Sequence, residues 1–329
     1  MPPGLDATAV RERLAELSAT AWTYTAIGVA IELGLPARMS EPTRAEELAA
    51  ATGVPEALAA SLAEALVAGG LAQRDGDGFV AEAALAAMAA SPGAEVLRAD
   101  ARTGLLQMAA MYDAATRGQP RTGWTHTDER ILQAQGVMSA GAVDVLEAHV
   151  LPRMPGMLER LDSGEGAFLD VGAGVAAVSI GLCRRHPRLR VVALEPWEVA
   201  RRLAERNVAE AGLADRIEVR AERVEHLGIS EAFDLAWLPG NFLGSELLPA
   251  ALSAVRRALR PGGYVLNACL GGGGDDARSV AARLRAVLWG GDTVPPERVA
   301  DLLAEAGFAD VLLMPRMPSG LVPMQARRP

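Results

Sequence analysis

Lysine is missing altogether from this chain of 329 residues, and all 32 of its basic residues are arginine. Schiff-base chemistry and proton abstraction by lysine are therefore excluded, since both need a titratable amine. An arginine-only composition fits a GC-rich bacterial coding sequence. Cysteine is scarce as well: Cys183 and Cys269 stand far apart and in no metal-ligand spacing, so no metal site and a reducing, cytoplasmic compartment are expected. Basic charge is in deficit, with 41 acidic residues giving a net charge of -9. A nucleic-acid binder would show the opposite balance, because phosphates must be neutralised. Long apolar runs are absent too. The longest, residues 26–35, is broken by Glu32 and falls short of a bilayer span. The first sixteen residues hold no basic stretch leading into an apolar core, so neither a signal peptide nor a membrane partner is expected.

Half of the residues are hydrophobic and 22% are charged, ample for a packed core, and the length favours two domains. Up to about residue 160 the pattern is helical, with helices expected over 7–19, 24–33, 44–51 and 55–68. Residues 71–74 and 79–81 then flank Asp75-Gly-Asp-Gly78, and Asp-Gly supplies the positive φ of a tight hairpin. Two helices and a hairpin form a winged-helix pattern. Between Thr43 and Glu82, Arg44 and Arg74 face Glu46, Glu47, Glu56, Glu64, Asp75, Asp77 and Glu82, a balance that repels DNA. A packing and dimerisation role is the better reading.

A helical connector over 94–161 carries the polar interruption 118–128. Past Gly166 short apolar runs alternate with amphipathic helices, the mark of a parallel α/β sheet. Strands are expected at 167–171, 190–194, 217–220, 234–238, 263–268 and 311–314, with a seventh, 321–326, folding back beside the sixth. The gap between the last two is too short for a crossover helix, so the final strand is antiparallel. The expected division is a helical, winged-helix-like domain over 1–120, a connector over 121–163 and a Rossmann-like domain over 164–329.

The run Phe168-Leu-Asp-Val-Gly-Ala-Gly174-Val-Ala-Ala177 puts a glycine turn between a strand and a helix, where backbone can approach a ligand closely. The turn alone also satisfies a dinucleotide fingerprint, with Glu195 at nearly the right interval. Its flanks decide. Asp170 precedes Gly172 by two residues, and a carboxylate there repels pyrophosphate but favours a cationic cofactor. Glu195 ends the second strand, placed to accept hydrogen bonds from both ribose hydroxyls.

These residues resemble the class I S-adenosylmethionine-dependent methyltransferases. In that family the glycine motif follows an acidic residue, as in Asp170-Val-Gly-Ala-Gly174, and another acidic residue ends strand two, as Glu195 does. Ile217-Glu-Val-Arg-Ala-Glu222, Phe233-Asp-Leu-Ala-Trp-Leu238 and Leu259-Arg-Pro-Gly-Gly-Tyr-Val-Leu266 are similar to the family's third, fourth and fifth strands. The resemblance implies S-adenosyl-L-methionine as cofactor, held by Asp170, Gly172, Ala173, Gly174, Glu195, Pro196, Ala221, Glu222, Arg223 and Leu238. The preceding helical domain is similar to that of small-molecule methyltransferases of secondary metabolism, which implies a homodimer and an acceptor capped by that domain.

Methyl transfer from a sulfonium is an in-line displacement, and a base is needed only where the acceptor holds its proton tightly. Hydroxyl methyltransferases of this kind place a histidine after strand four or five. Residues 238–246 contain none, so the expectation leans to a carbon or nitrogen acceptor on an aromatic heterocycle such as an indole. The alternative is O-methylation with His126 as base, and a reading of another class is a non-methylating cyclase or regulator. His186, His149 and His226 are assigned to structure or solvent. His126 stands in the aromatic stretch Trp124-Thr-His-Thr-Asp128, while Tyr24, Asn241 and Glu246 are further candidates to hold the acceptor. Aromatic residues make up only 4% of the chain; Trp22, Trp124, Trp237 and Trp289 are the candidate acceptor walls. Gly271 to Gly274 lacks the residues of a phosphate loop and reads as a hinge, with Asp275 and Asp276 too few for a metal site.

Overall fold

The computed structural model describes residues 6–119, 122–270, 274–292, 294–317 and 320–329. The chain forms two compact units, parted between Ala110 and Met111.

The first unit begins with α1 (Ala7–Glu32), whose first turn is capped by the Asp6 carboxylate. Two helices were expected here, and the structure has one. The intervening Thr20-Ala-Trp-Thr23 holds no glycine or proline, and the Thr20 and Thr23 hydroxyls donate back to Glu16 and Ala19 carbonyls of the same helix, so nothing interrupts it. Next come α2 (Leu35–Arg38), α3 (Ala45–Thr52) and α4 (Glu56–Ala68), the last two crossing at 111°. Strands β1 (Ala72–Asp75) and β2 (Gly78–Ala81) pair antiparallel around Gly76, which adopts positive φ. Helices α5 (Ala83–Ala90) and α6 (Ala94–Thr116) follow, the last turns of α6 belonging to the second unit. Leu48, Leu62, Leu66 and Phe79 are buried together at the centre of this unit. Among the described residues no single helix is long and apolar enough to cross a membrane.

The second unit contains α7 (Glu129–Val145), which runs into a π turn at Leu146–Val150, then α8 (Met157–Asp162). It continues through β3 (Ala167–Val171), α9 (Ala177–Arg185), β4 (Arg190–Leu194), α10 (Glu198–Glu210), β5 (Ile217–Arg220) and β6 (Phe233–Leu238). Helix α11 (Leu248–Ala258), β7 (Leu259–Leu270), α12 (Ala277–Trp289), α13 (Pro296–Glu305), β8 (Ala309–Leu313) and β9 (Leu321–Arg327) complete it. The seven strands order as β5-β4-β3-β6-β7-β9-β8, with β9 antiparallel to both neighbours. The expected Rossmann-like sheet with an antiparallel last strand is thus present. Its central strands are apolar on both faces because helices cover both: Leu169, Leu238 and Met324 face one buried cluster, Phe168, Leu235 and Leu266 the other.

Candidate active site

In this sheet β3 and β6 are neighbours although the chain visits β4 and β5 between them. The chain therefore leaves β3 towards one edge and β6 towards the other, opening a crevice above their C-terminal ends, where open α/β sheets bind ligands. Gly172, Gly174 and Ala176 all adopt left-handed φ, 64°, 58° and 63°, turning the chain sharply from β3 into α9. Above this loop, α7 approaches closely at Gly136, where a Cβ would lie 2.2 Å from Val175 Cγ2.

Two buried carboxylates underlie the loop. Asp170 is 1% exposed and accepts a 2.6 Å hydrogen bond from the Ser179 hydroxyl of α9. Burial pushes its pKa up to about 6, partly offset by that bond. Glu195 directly follows β4, is 5% exposed, and accepts from the Gly174 and Trp197 backbone N–H groups, both at 2.8 Å. Burial pushes it up to about 7; the two backbone bonds pull it down and the Asp170 charge raises it further. Each Glu195 oxygen spends one lone pair on backbone, leaving others for ligand hydroxyls.

Beyond β6 the chain makes a 3-10 turn, Gly240–Phe242, that leads to an aromatic cluster. Phe242 stacks on Trp289 of α12 with ring centroids 5.0 Å apart, and Trp124 stands edge-on to both, at 5.2 and 6.2 Å. The His126 ring lies edge-on to Trp124 at 4.8 Å. The Trp197 indole N–H donates to the His126 carbonyl at 3.0 Å, tying this cluster to the residue that also caps Glu195.

Residues 168–263 match the family model described as methyltransferase domain. This is the glycine loop, Glu195 and strands β3 to β6 in one stretch. The chain carries a class I S-adenosylmethionine-dependent methyltransferase domain, and its cofactor is S-adenosylmethionine. Solved structures share the whole fold. The S-adenosylmethionine-dependent methyltransferase SibL is 24% identical over 96% of this chain and 99% of its own, with a TM-score of 0.68. The pyocyanin biosynthetic protein PhzM is 21% identical over 98% and 100%, at 0.66. Human N-acetylserotonin methyltransferase, solved with its cofactor, is 15% identical over 100% and 99%, at 0.63. No curated protein matches the chain at the sequence level.

The methyltransferase fold sorts the residues singled out in the sequence. Gly172, Ala173, Gly174 and Glu195 converge on the crevice, and Pro196, Ala221, Glu222 and Arg223 follow β4 and β5 at the same end of the sheet. Leu238 is fully buried in the core, so only its backbone is available to a ligand. Asp170, expected to contact the cofactor, is instead buried beneath the loop and bonded to Ser179. Trp124, His126, Asn241 and Trp289 gather at the aromatic cluster, Asn241 being 5% exposed in the turn between β6 and α11. Trp289 closes α12, an amphipathic helix over residues 277–289 capped by the Asp276 carboxylate. Trp237 is half-buried, in register with Asp170 and packed on the Phe168 and Leu235 side of the sheet, outside the aromatic cluster. Glu246 is exposed, its carboxylate folded over Gly244. Trp22 and Tyr24 belong to the first unit, 75% and 42% exposed on α1.

Of the other histidines, His186 is buried between Glu147 and Asp162, both at 2.9 Å, while His149 and His226 are exposed. Gly271 to Gly273, read as a hinge, lie outside the described residues. Two site features escaped the sequence reading. Phe242 was passed over because one phenylalanine in a polar stretch carries no pattern. Ala176, the third left-handed position, was hidden because alanine gives no warning of positive φ.

Proposed function

We propose that this methyltransferase transfers a methyl group to a small planar acceptor of secondary metabolism, at carbon or nitrogen of an aromatic heterocycle such as an indole. One observation carries the reading: the turn after β6 leads directly to Trp124, Phe242 and Trp289, three aromatic rings within 6.2 Å of one another. A flat ring seated there gains area burial and edge or face contacts. Asn241 beside the cluster supplies a hydrogen bond to an acceptor N–H or C=O. The cofactor brings its own electrophile, a sulfonium methyl. As the C–S bond breaks, the acceptor's electron pair forms the new bond, and for ring carbon or nitrogen the proton leaves afterwards. No strong base is then required, which agrees with a segment after β6 that has no histidine.

A second reading is O-methylation, favoured by the His126 ring at the edge of Trp124. Methyl-labelled S-adenosylmethionine, offered with a panel of indoles and their hydroxylated analogues, separates the two. Label on ring carbon or nitrogen, kept in His126→Ala and reduced about tenfold or more in Phe242→Ala, supports the first. Label on oxygen, lost in His126→Ala, overturns it.

A homodimer fits the surface of the first unit. Val10, Leu14 and Leu17 recur at helical spacing along α1 and are 41%, 61% and 52% exposed, an apolar stripe that a second copy would bury. Sedimentation of the wild type and of Leu14→Glu tests it: a dimer that the variant splits supports the assignment, and a monomeric wild type removes it.

A further inference from the structure

The turn after β6 touches both halves of the proposed site. Pro239 reaches the glycine loop, its Cγ lying 3.7 Å from where a Cβ on Gly172 would stand. Gly240 closes over Asn267 of β7; a Cβ there would stand 3.0 Å from Asn267 Nδ2 and 3.1 Å from Oδ1. The Asn241 carbonyl presses on Gly291, where a Cβ would come within 2.3 Å of it, and Phe242 stacks on Trp289. Four consecutive residues thus run from cofactor loop to acceptor cluster.

Asn267, under the middle of this turn, is out of place by the rules that fix its neighbours. It is in register with Leu238 and Met324, both buried and apolar, and is itself 1% exposed. Neither Nδ2 nor Oδ1 has a hydrogen-bond partner among the described residues. A buried amide with both functions unsatisfied weakens a fold, and a leucine of similar size would remove the cost. Polar groups retained at such a cost mark places where a second arrangement satisfies them.

We propose that Asn267 is a positioning residue for methyl transfer. Its carboxamide hydrogen-bonds to backbone groups of the Gly240–Phe242 turn once cofactor in the glycine loop bears on Pro239, and the turn in that state sets Phe242 against Trp289 to receive the acceptor. The turn is the two-state element, and glycine at 240 is what lets the amide and the backbone approach. This rests on reading the aromatic cluster as the acceptor site.

The test uses the full chain and S-adenosylhomocysteine, with no acceptor needed. Near-ultraviolet circular dichroism follows the cluster, calorimetry follows binding, and Phe242→Ala assigns the signal to the stack. The expected result is a dichroism change in the wild type on binding. In Asn267→Leu that change falls by more than about half, while affinity stays within about threefold and thermal stability rises. A wild-type spectrum that does not respond, or an Asn267→Leu response equal to that of the wild type, overturns the proposal. Should Asn267→Leu fail to fold, hydrogen exchange of the wild-type Asn267 side-chain amide decides: slowed by S-adenosylhomocysteine, the proposal stands, and unchanged, it fails. Failure of the acceptor assignment shows itself separately, as methyl transfer that survives Phe242→Ala.

Discussion

Glu195 Oε2 accepts a hydrogen bond from the backbone N–H of Gly174 at 2.8 Å, so the carboxylate proposed to hold the ribose also fastens the glycine turn beside it. Because burial pushes Glu195 up to about 7 and Asp170 up to about 6, their protonation is coupled to ligand binding. Ribose hydroxyls donate best to the ionised Glu195, so affinity rises with pH through about 7. One titrating group predicts that S-adenosylhomocysteine binds about tenfold tighter near pH 8 than near pH 6. Calorimetry across that range checks it, and Glu195→Gln should bind more weakly with the pH dependence mostly gone. The ligand-free protein moves the other way. Both carboxyls keep protons in the folded state that the unfolded chain has already lost, so their contribution to stability is fullest below about pH 4 and declines as pH rises through about 7.

Ala176 holds a left-handed backbone, φ 63°, that costs an L-residue ~1–2 kcal/mol. Glycine would avoid it while losing ~0.5–1 kcal/mol through the greater freedom of the unfolded chain. Removing the fully buried Ala176 methyl costs about 0.8 kcal/mol more, so Ala176→Gly is expected to leave stability within about 0.5 kcal/mol in denaturant melts, far less than a buried Ala→Gly loses without strain relief. A loss of about 1.5 kcal/mol or more would show that the left-handed turn is not a source of strain.

Gly136 of α7 has no room for a methyl group: its Cβ would meet Val175 Cγ2 at 2.2 Å and Ala177 Cβ at 3.5 Å. Either α7 or Val175 of the glycine loop has to give way. Gly136→Ala should weaken S-adenosylhomocysteine about tenfold or more and cost about 1–3 kcal/mol of stability. Unchanged affinity would mean that α7 yields instead.

The sheet was readable from the sequence because a parallel α/β core writes its inner strands as short, mostly apolar runs, while β5, Ile217-Glu-Val-Arg at the sheet edge, alternates; β3, β4, β5 and β6 all lie where these segments stand. The cofactor crevice was readable for a related reason. Gly172 and Gly174 lie in one strand-turn-helix segment, Glu195 directly follows the next strand, and glycine after a buried carboxylate advertises the turn. The aromatic cluster was not. Trp124, Phe242 and Trp289 come from three separate segments and share no period, so nothing in the sequence brings them together. The α1 boundary failed in the opposite sense: two helices, 7–19 and 24–33, were expected, yet Thr20 and Thr23 bond within one. Asn267 could not be singled out, since an asparagine at the end of an apolar strand looks like the start of a turn until its burial is known.

The claim beneath all of this is that the crevice binds a sulfonium nucleotide through Glu195 and the glycine turn, and calorimetric titration tests it most directly. Wild type, Glu195→Ala and Asp170→Ala would each be titrated with S-adenosylmethionine, S-adenosylhomocysteine and NADH. Binding of the two sulfur nucleotides alone, weakened about tenfold or more by Glu195→Ala, is the predicted result. Binding of NADH, or sulfur-nucleotide affinity indifferent to Glu195, would contradict it.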